Sequence, residues 1–418
     1  MASVLEQARL RLSDPRDRAL TTDIVTGVLR WRGTLDHLIA VYAKRPVDRL
    51  DPEILDVLRL SIYQLLHLTR VPAAAIVDDA VNLAGRARKA SARGFVNAVL
   101  RAISRQRHAL PLPPRPADPH DREGALAYLT VTLSHPRWLA ERWLERFGFA
   151  DAEAWMQFNN AAPPLTLRAN RFRTTTEALQ SALAARGMEA ARGRFAPDCL
   201  RVERGDRTQA DGLAALHGLF VVQDEASQLV TLLAGSDPGH RVLDTCASPG
   251  GKTTALAAAM ADQAAARAGA SDGADAIIAC DVRGRRIDLL KQTIALTGAR
   301  HVHVVQADLL APLPFHPVFD CVFVDAPCSG LGTVRRDPDI KWWRRPEELA
   351  TLATAQRLML AHAAAMVRPG GRLIYATCSS EPEENENVTQ AFLDTRDGPG
   401  CDFIPVDARR VHPALSQT

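Results

Sequence analysis

The sequence predicts a multidomain chain: an all-α helical domain, a small α+β middle region and a C-terminal α/β Rossmann-like domain. Three observations predict it. The first hundred or so residues repeat apolar positions at helical spacing without strand-like alternation. A proline-rich stretch, Ala109–Pro119, then interrupts the pattern. Beyond it, apolar runs that each end in an acid alternate with helix-forming segments, the pattern of a parallel sheet. A chain of 418 residues is also too long for one ordinary domain. The expected boundaries are 1–110 for the helical domain, 111–123 for a linker, 124–235 for the middle region, 236–395 for the α/β domain and 396–418 for a tail.

In the helical domain, Val4, Leu5, Ala8 and Leu12 recur at helical spacing, as do Ile24, Val25, Val28 and Leu29. Ile54, Leu55, Leu58, Ile62, Leu65 and Leu66 form an apolar stripe. Pro46, Pro52 and Pro72 punctuate the connections, and Pro52 suits a first helical turn. Residues 1–120 hold 19 Lys/Arg against 12 Asp/Glu, and no acid occurs from Ala80 to Ala117. Arg86, Arg88, Lys89, Arg93, Arg101, Arg105 and Arg107 fall in that window. Such a face suits a polyanion partner, with a plain solvated bundle as the alternative.

The middle region opens with Pro136–Arg146, an amphipathic helix whose tryptophans read as core. A strand at Pro163–Asn170, a helix near Thr176–Arg186 and a strand near Leu200–Val202 follow. Arg168, Arg171 and Arg173 are candidate phosphate contacts or ordinary surface arginines.

The α/β domain is organised around Arg241–Thr254, an apolar run, an acid (Asp244), a glycine turn and an alanine-rich helix. Gly250 and Gly251 suit a sharp turn close to a ligand, and the helix N-terminus offers free N–H groups. A phosphate-binding loop needs glycine where Cys246 stands, and the Gly-x-Gly-x-x-Gly fingerprint is absent. Later strands end in or near Asp281, Asp308 and Asp325. Ligands of such sheets sit at these carboxyl ends, where an acid can hold a ribose diol. Ala264–Asp275 reads as a loop insertion and Gly398–Thr418 as a weakly patterned, partly disordered tail. Two cysteines sit on polar turns after strands, in Asp325-Ala-Pro-Cys328-Ser-Gly and Ala376-Thr-Cys378-Ser.

Composition narrows the class. Apolar residues at 47% and charged residues at 24% are those of a soluble globular protein. No apolar run is long enough for a membrane span, and the start lacks a secretory pattern. Seven cysteines without a Cys-x-x-Cys pair argue against disulfides and a metal site, and for a cytoplasmic protein.

The two cysteine motifs, with Arg335-Arg-Asp-Pro-Asp-Ile-Lys-Trp342, resemble those of the S-adenosylmethionine-dependent RNA 5-methylcytosine methyltransferases. With Gly94–Arg101, which resembles the last helix of NusB-like RNA-binding domains, the match narrows to the RsmB (Sun/Fmu) family. Ser248 departs from that family, which usually has alanine there. The resemblance implies a NusB-like helical domain, S-adenosyl-L-methionine as cofactor and no metal. It implies Cys378 as nucleophile, Cys328 for product release, Asp325 against N3 of the base, and Lys252 beside the thiolate. It implies cofactor contacts from Cys246, Ala247, Ser248, Pro249, Gly250, Gly251, Lys252, Asp281, Asp308 and Asp325. The expected partner is 16S ribosomal RNA, free or in a partly assembled small subunit, met by a monomer. A transfer RNA, another ribosomal site, or a non-catalytic RNA-binding assembly role are the alternatives. DNA cytosine methylases use a Pro-Cys nucleophile and a Glu-Asn-Val motif. Glu386-Asn-Val388 occurs here, but in the wrong order along the chain, and reads as a helix start.

Overall fold

The computed structural model describes residues 2–118, 120–204, 213–235, 239–266, 276–395, 400 and 402–417. The chain forms two compact units, Met1–Pro163 with Thr333–Pro346, and Pro164–Gly332 with Glu347–Thr418.

In the first unit, helices Pro15–Arg30, Arg32–Ala43, Pro52–His67, Ala73–Arg86 and Arg93–Arg105 enclose one apolar core. Leu35, Leu38, Leu58, Ile62, Leu100 and Ile103 are fully buried in it. These are the positions that the helical spacing points inward. Asp14 starts the first of these helices by accepting from the Arg16 N–H at 2.7 Å, with Pro15 in the first turn. Of the basic run, Arg86, Arg88, Arg93, Arg101, Arg105 and Arg107 are exposed. Lys89 is half-buried and pairs with Asp51 at 3.1 Å, an acid from outside the acid-free window.

The proline-rich stretch is laid against this unit. Leu110 and Leu112 pack on the helical core. The Pro111 carbonyl accepts from His37 Nε2 at 2.9 Å, and the Pro113 carbonyl from Thr132 Oγ1 at 2.6 Å. Proline has no N–H to satisfy, and its carbonyl still finds donors. The amphipathic helix spans Arg137–Asn160, broken at Gly148, whose φ is 75°. Trp143 on it is fully buried and meets Trp155 edge-on, with ring centroids 6.0 Å apart.

Arg335–Trp342 lies within the α/β half of the sequence, yet it belongs to the first unit. Trp342 Nε1 donates to the Leu29 carbonyl at 2.6 Å. Lys341 is fully buried and donates to the Arg30 carbonyl at 2.9 Å. Burial, and then the nearby Arg30, hold its ammonium well below the usual lysine range.

The second unit contains two sheets. The first is antiparallel, in the order β2 (Glu189–Arg192), β3 (Cys199–Arg204), β1 (Leu165–Ala169), β4 (Phe220–Val222), with helix Thr176–Ala184. The second is parallel, in the order β7 (Val302–Gln306), β6 (Ala276–Asp281), β5 (Arg241–Asp244), β8 (Phe319–Asp325), β9 (Val367–Ala376). The chain starts this sheet in the middle and works outward in both directions. The crevice between β5 and β8 is therefore its topological switch point.

Arg168 corrects the surface reading made for it. It is buried on β1 and donates to the Gly251 carbonyl at 2.5 Å, Thr254 Oγ1 at 2.8 Å and Gln223 Oε1 at 2.9 Å. Burial pulls its guanidinium down to about 10. It ties the antiparallel sheet to the helix after β5 instead of facing phosphate. Arg171 is engaged by Asp198 at 3.0 Å and Asp262 at 3.1 Å.

Of the Ala264–Asp275 stretch, the first residues close helix Gly251–Ala266, and 267–275 lie outside the described residues. In the tail, residues 402–417 contain two short 3-10 helices, Ala408–Arg410 and Pro413–Gln417, with Leu415 buried. Residues 398, 399, 401 and 418 lie outside the described residues.

Trp143→Ala empties a fully buried indole site. Urea denaturation is expected to show a loss of about 3–5 kcal/mol. A loss under about 1 kcal/mol would mean that the neighbouring rings collapse into the space.

Candidate active site

Asp244 and Asp325 end the neighbouring strands β5 and β8, and Asp281 ends β6. Three acids thus gather along one edge of the sheet. Lys252, in the first turn of helix Gly251–Ala266, reaches across and donates to Asp325 Oδ2 at 2.5 Å. Asp244 is buried, with Oδ2 accepting from Thr253 Oγ1 at 2.7 Å. Burial, reinforced by Asp325 and opposed by Thr253 and Lys252, pushes its carboxyl up to about 7.

The loop from Thr245 to Gly250 joins β5 to its helix. The Thr245 N–H donates to the Phe323 carbonyl at 2.9 Å, and the Ala247 N–H to the Cys280 carbonyl at 2.8 Å. The loop therefore hangs between β6 and β8. Gly250 carries the turn, with φ at 102° and no room for a Cβ, which would come within 2.9 Å of Leu290 Cδ1. Gly251 is the first helical residue and has room for a side chain, so the turn needs one glycine and not two. Arg286 joins the loop to β6: it donates to the Ser248 carbonyl at 2.7 Å and pairs with Asp281 at 3.2 Å. Sequence reading missed Arg286, whose one signal is the Arg-Gly-Arg-Arg run after Asp281. Asp308 is exposed beyond β7, where its Oδ1 caps the Leu310 N–H at 2.9 Å. Pro249 is exposed, and Cys246 is half-buried, its thiol pushed up to about 12 by burial.

The turns after β8 and β9 bring two thiols together. Cys328 Sγ and Cys378 Sγ lie 3.2 Å apart. The Gly332 N–H donates to the Cys378 carbonyl at 3.0 Å, and a Cβ on Gly332 would come within 2.8 Å of that oxygen. Only glycine lets the two turns approach this closely. Cys378 is exposed and Cys328 half-buried. The shared S–H bond pulls Cys378 below the ordinary thiol value, helped by Lys252 and opposed by burial and Asp325. The same bond pushes Cys328 up, and burial adds to it. Burial pushes Cys199, Cys280 and Cys321 up to about 12. Among the described residues, Cys378 is the one cysteine drawn toward its thiolate, the form that attacks carbon.

Comparisons with known proteins follow this architecture. The family model for 16S rRNA methyltransferase RsmB/F matches residues 230–410, that for the NusB family residues 1–105, and an RsmF/B-like ferredoxin-like domain residues 135–208. "Ribosomal RNA small subunit methyltransferase B" of Pseudomonas putida is 35% identical over 92% of this chain and 83% of its own. "Probable ribosomal RNA small subunit methyltransferase B" of Bacillus subtilis is 33% identical over 91% of this chain and 81% of its own. This chain belongs to the RsmB family of ribosomal RNA small-subunit methyltransferases. A crystal structure titled PH0851 superposes with a TM-score of 0.74 at 27% identity, over 90% of this chain and 81% of that one. The helical unit thus contains a NusB domain, the antiparallel sheet is the ferredoxin-like domain, and the parallel sheet is the Rossmann-like methyltransferase fold.

Members of this family are S-adenosylmethionine-dependent RNA methyltransferases. The crevice suits such a donor. Acids at three strand ends match a cation-bearing nucleoside. The buried Asp244 Oδ1 and Ser248 Oγ have no hydrogen-bond partner among the described residues, so the loop keeps polar capacity to spare. Among the described residues no group of His, Cys, Asp and Glu is arranged to hold a metal ion, and no helix is long and apolar enough to cross a membrane.

The Asp244 carboxyl gives a pH test. Its folded value of about 7 lies above the ordinary 3.8, so its contribution to stability is full below about pH 4 and is lost as pH rises through 7. Asp244→Asn should remove a slope of at most about 1.4 kcal/mol per pH unit between these limits. Urea denaturation across pH 4 to 8 measures it, and parallel curves for the two proteins would contradict it.

Proposed function

We propose that this protein methylates C5 of a cytosine in RNA, most specifically in 16S ribosomal RNA, through a covalent bond between Cys378 and C6 of the base. The observation that carries the reading is the pair of thiols 3.2 Å apart, with only Cys378 drawn toward its thiolate. Cytosine C5 is a weak nucleophile. Addition of the Cys378 thiolate at C6 turns the ring into an enamine that is nucleophilic at C5. The cofactor, when bound, supplies an electrophilic methyl group. Its holders in this reading are the Cys246–Lys252 loop, with Asp281 toward the ribose, Asp308 toward the adenine and Asp325 toward the methionyl end.

Asp325 doubles as the contact to N3 of the base. To donate to N3, an acceptor, its carboxyl must carry a proton. Once C5 carries both methyl and hydrogen, Cys328 passes its own thiol proton to solvent and, as thiolate, takes the C5 proton. The C–H electron pair forms the C5=C6 bond, the C6–S bond breaks, and its pair returns to Cys378. Cys328 has the higher thiol affinity for protons and is the better base of the two.

The RNA partner is supported by the exposed arginines of the helical unit and by the relatives' names, which specify small-subunit ribosomal RNA. The target base must leave its stack, since a thiol cannot reach C6 within a duplex. A monomer working in the cytoplasm is the state this reading takes.

Cys378→Ala is expected to abolish incorporation of radiolabelled methyl groups into RNA. Cys328→Ala is expected to leave protein covalently attached to RNA on denaturing gels. An adduct in the first variant and none in the second would exchange the two roles. For the substrate, bisulfite sequencing of 16S ribosomal RNA from a strain lacking the gene should show one 5-methylcytosine missing. An unchanged 16S pattern would move the target to another RNA.

A further inference from the structure

We propose that Glu384, acting with Gln356, is the positioning residue for Cys328 and hence for product release. The proposal rests on the covalent reading given above and adds to it a residue that touches neither base nor cofactor.

Glu384 is fully buried. Among the described residues no lysine or arginine pairs with it. A buried carboxylate without a counter-charge is costly unless neutral donors satisfy it. Here three donors do. Its Oε1 accepts from the Ser329 N–H at 2.8 Å and from Gln356 Nε2 at 3.0 Å, and its Oε2 accepts from Ser329 Oγ at 2.5 Å. Gln356 Nε2 also donates to the Pro327 carbonyl at 2.9 Å. The carbonyl before Cys328 and the N–H after it are therefore held by one bonded pair of side chains. The pair commits the Gln356 amide so fully that its buried Oε1 is left without a partner.

The next residue serves the other turn. Asn385 Nδ2 donates to the Ser379 carbonyl at 3.1 Å, and its Oδ1 accepts from Thr377 Oγ1 at 2.6 Å, on either side of Cys378. Ser329 Oγ and Ser379 Oγ, 3.1 Å apart, join the two turns. Two consecutive side chains thus hold the two cysteine turns, Glu384 that of Cys328 and Asn385 that of Cys378. The position of Cys328 matters for removal of the C5 proton, the step in which the C6–S bond of Cys378 breaks. It matters less for the addition of Cys378 that precedes it, because Lys252 also draws that thiol toward its thiolate.

The test separates those steps. Single-turnover reactions follow methyl incorporation into RNA, and denaturing gels follow the covalent protein–RNA species with time. Glu384→Gln offers one acceptor and a clashing donor where the carboxylate offers two acceptors. It should methylate in the first turnover within about threefold of the unaltered protein, yet release product at least about tenfold more slowly. Its adduct should accumulate as in Cys328→Ala. Ser329→Ala removes one donor, should fold normally, and should show the same imbalance in smaller degree. Should Glu384→Gln fail to fold, Ser329→Ala decides on the same two readouts. Equal losses in both steps, or release at the normal rate, would overturn the positioning role. Absence of an adduct in Cys328→Ala would instead overturn the covalent reading itself.

Discussion

Two thiols 3.2 Å apart cannot both be ionised, and the proton they share must favour one of them. That constraint orders the rest of the site. The partly buried member holds the proton more tightly, and the exposed member is drawn toward its thiolate. The exposed member, Cys378, sits on the turn after β9, and Cys328 on the turn after β8. Parallel pairing of β8 and β9 brings both turns to the same edge of the sheet, with Asp325 aligned to Ala376. A glycine at 332 then lets the turns close to contact. The asymmetry between two identical side chains arises first from the shared S–H bond, which pulls Cys378 down and pushes Cys328 up, and then from the placement of Lys252.

The same edge gathers charges whose separate costs are offset by one another. Lys252 and Asp325 come from the helix after β5 and the end of β8, and their ion pair spans the switch point of the sheet. Asp244, one strand over, has no cation in hydrogen-bonding contact among the described residues, and burial pushes it toward its neutral form. Of the two carboxyl groups on these adjacent strands, only that of Asp325 has the lysine in hydrogen-bonding contact. Arg286 performs the corresponding service for Asp281 while holding the loop carbonyl of Ser248. The cofactor loop is thus fixed by backbone bonds to both neighbouring strands and by one arginine.

Charged residues are also used inside the protein as fasteners. Arg168 satisfies carbonyl and hydroxyl oxygens at the start of the helix after β5. Lys341 satisfies carbonyl oxygen in the helical unit, and Glu384 satisfies backbone and side-chain donors beside Cys328. A charge buried against neutral groups specifies geometry more sharply than an apolar contact, since misplacing it leaves an unsatisfied ion. In a linear sequence these three look like ordinary surface residues.

The sequence by itself determined the helical N-terminal module, the parallel order of acids at strand ends, the glycine turn and the two cysteine turns. Periodicity and turn chemistry are local, and a motif such as Asp-Ala-Pro-Cys-Ser-Gly keeps its spacing whatever surrounds it. Only the tertiary structure decided that Gly250 alone carries the turn, that Arg168 is buried, that Arg335–Trp342 completes the helical unit, and that the proline-rich stretch lies along it. It also decided which groups meet. Lys252 and Asp325 are 73 residues apart, and Ser329 and Glu384 are 55 apart. No pattern within either segment records its partner, because a hydrogen bond or a shared proton depends on distance in space, and that distance is set by how the strands pair.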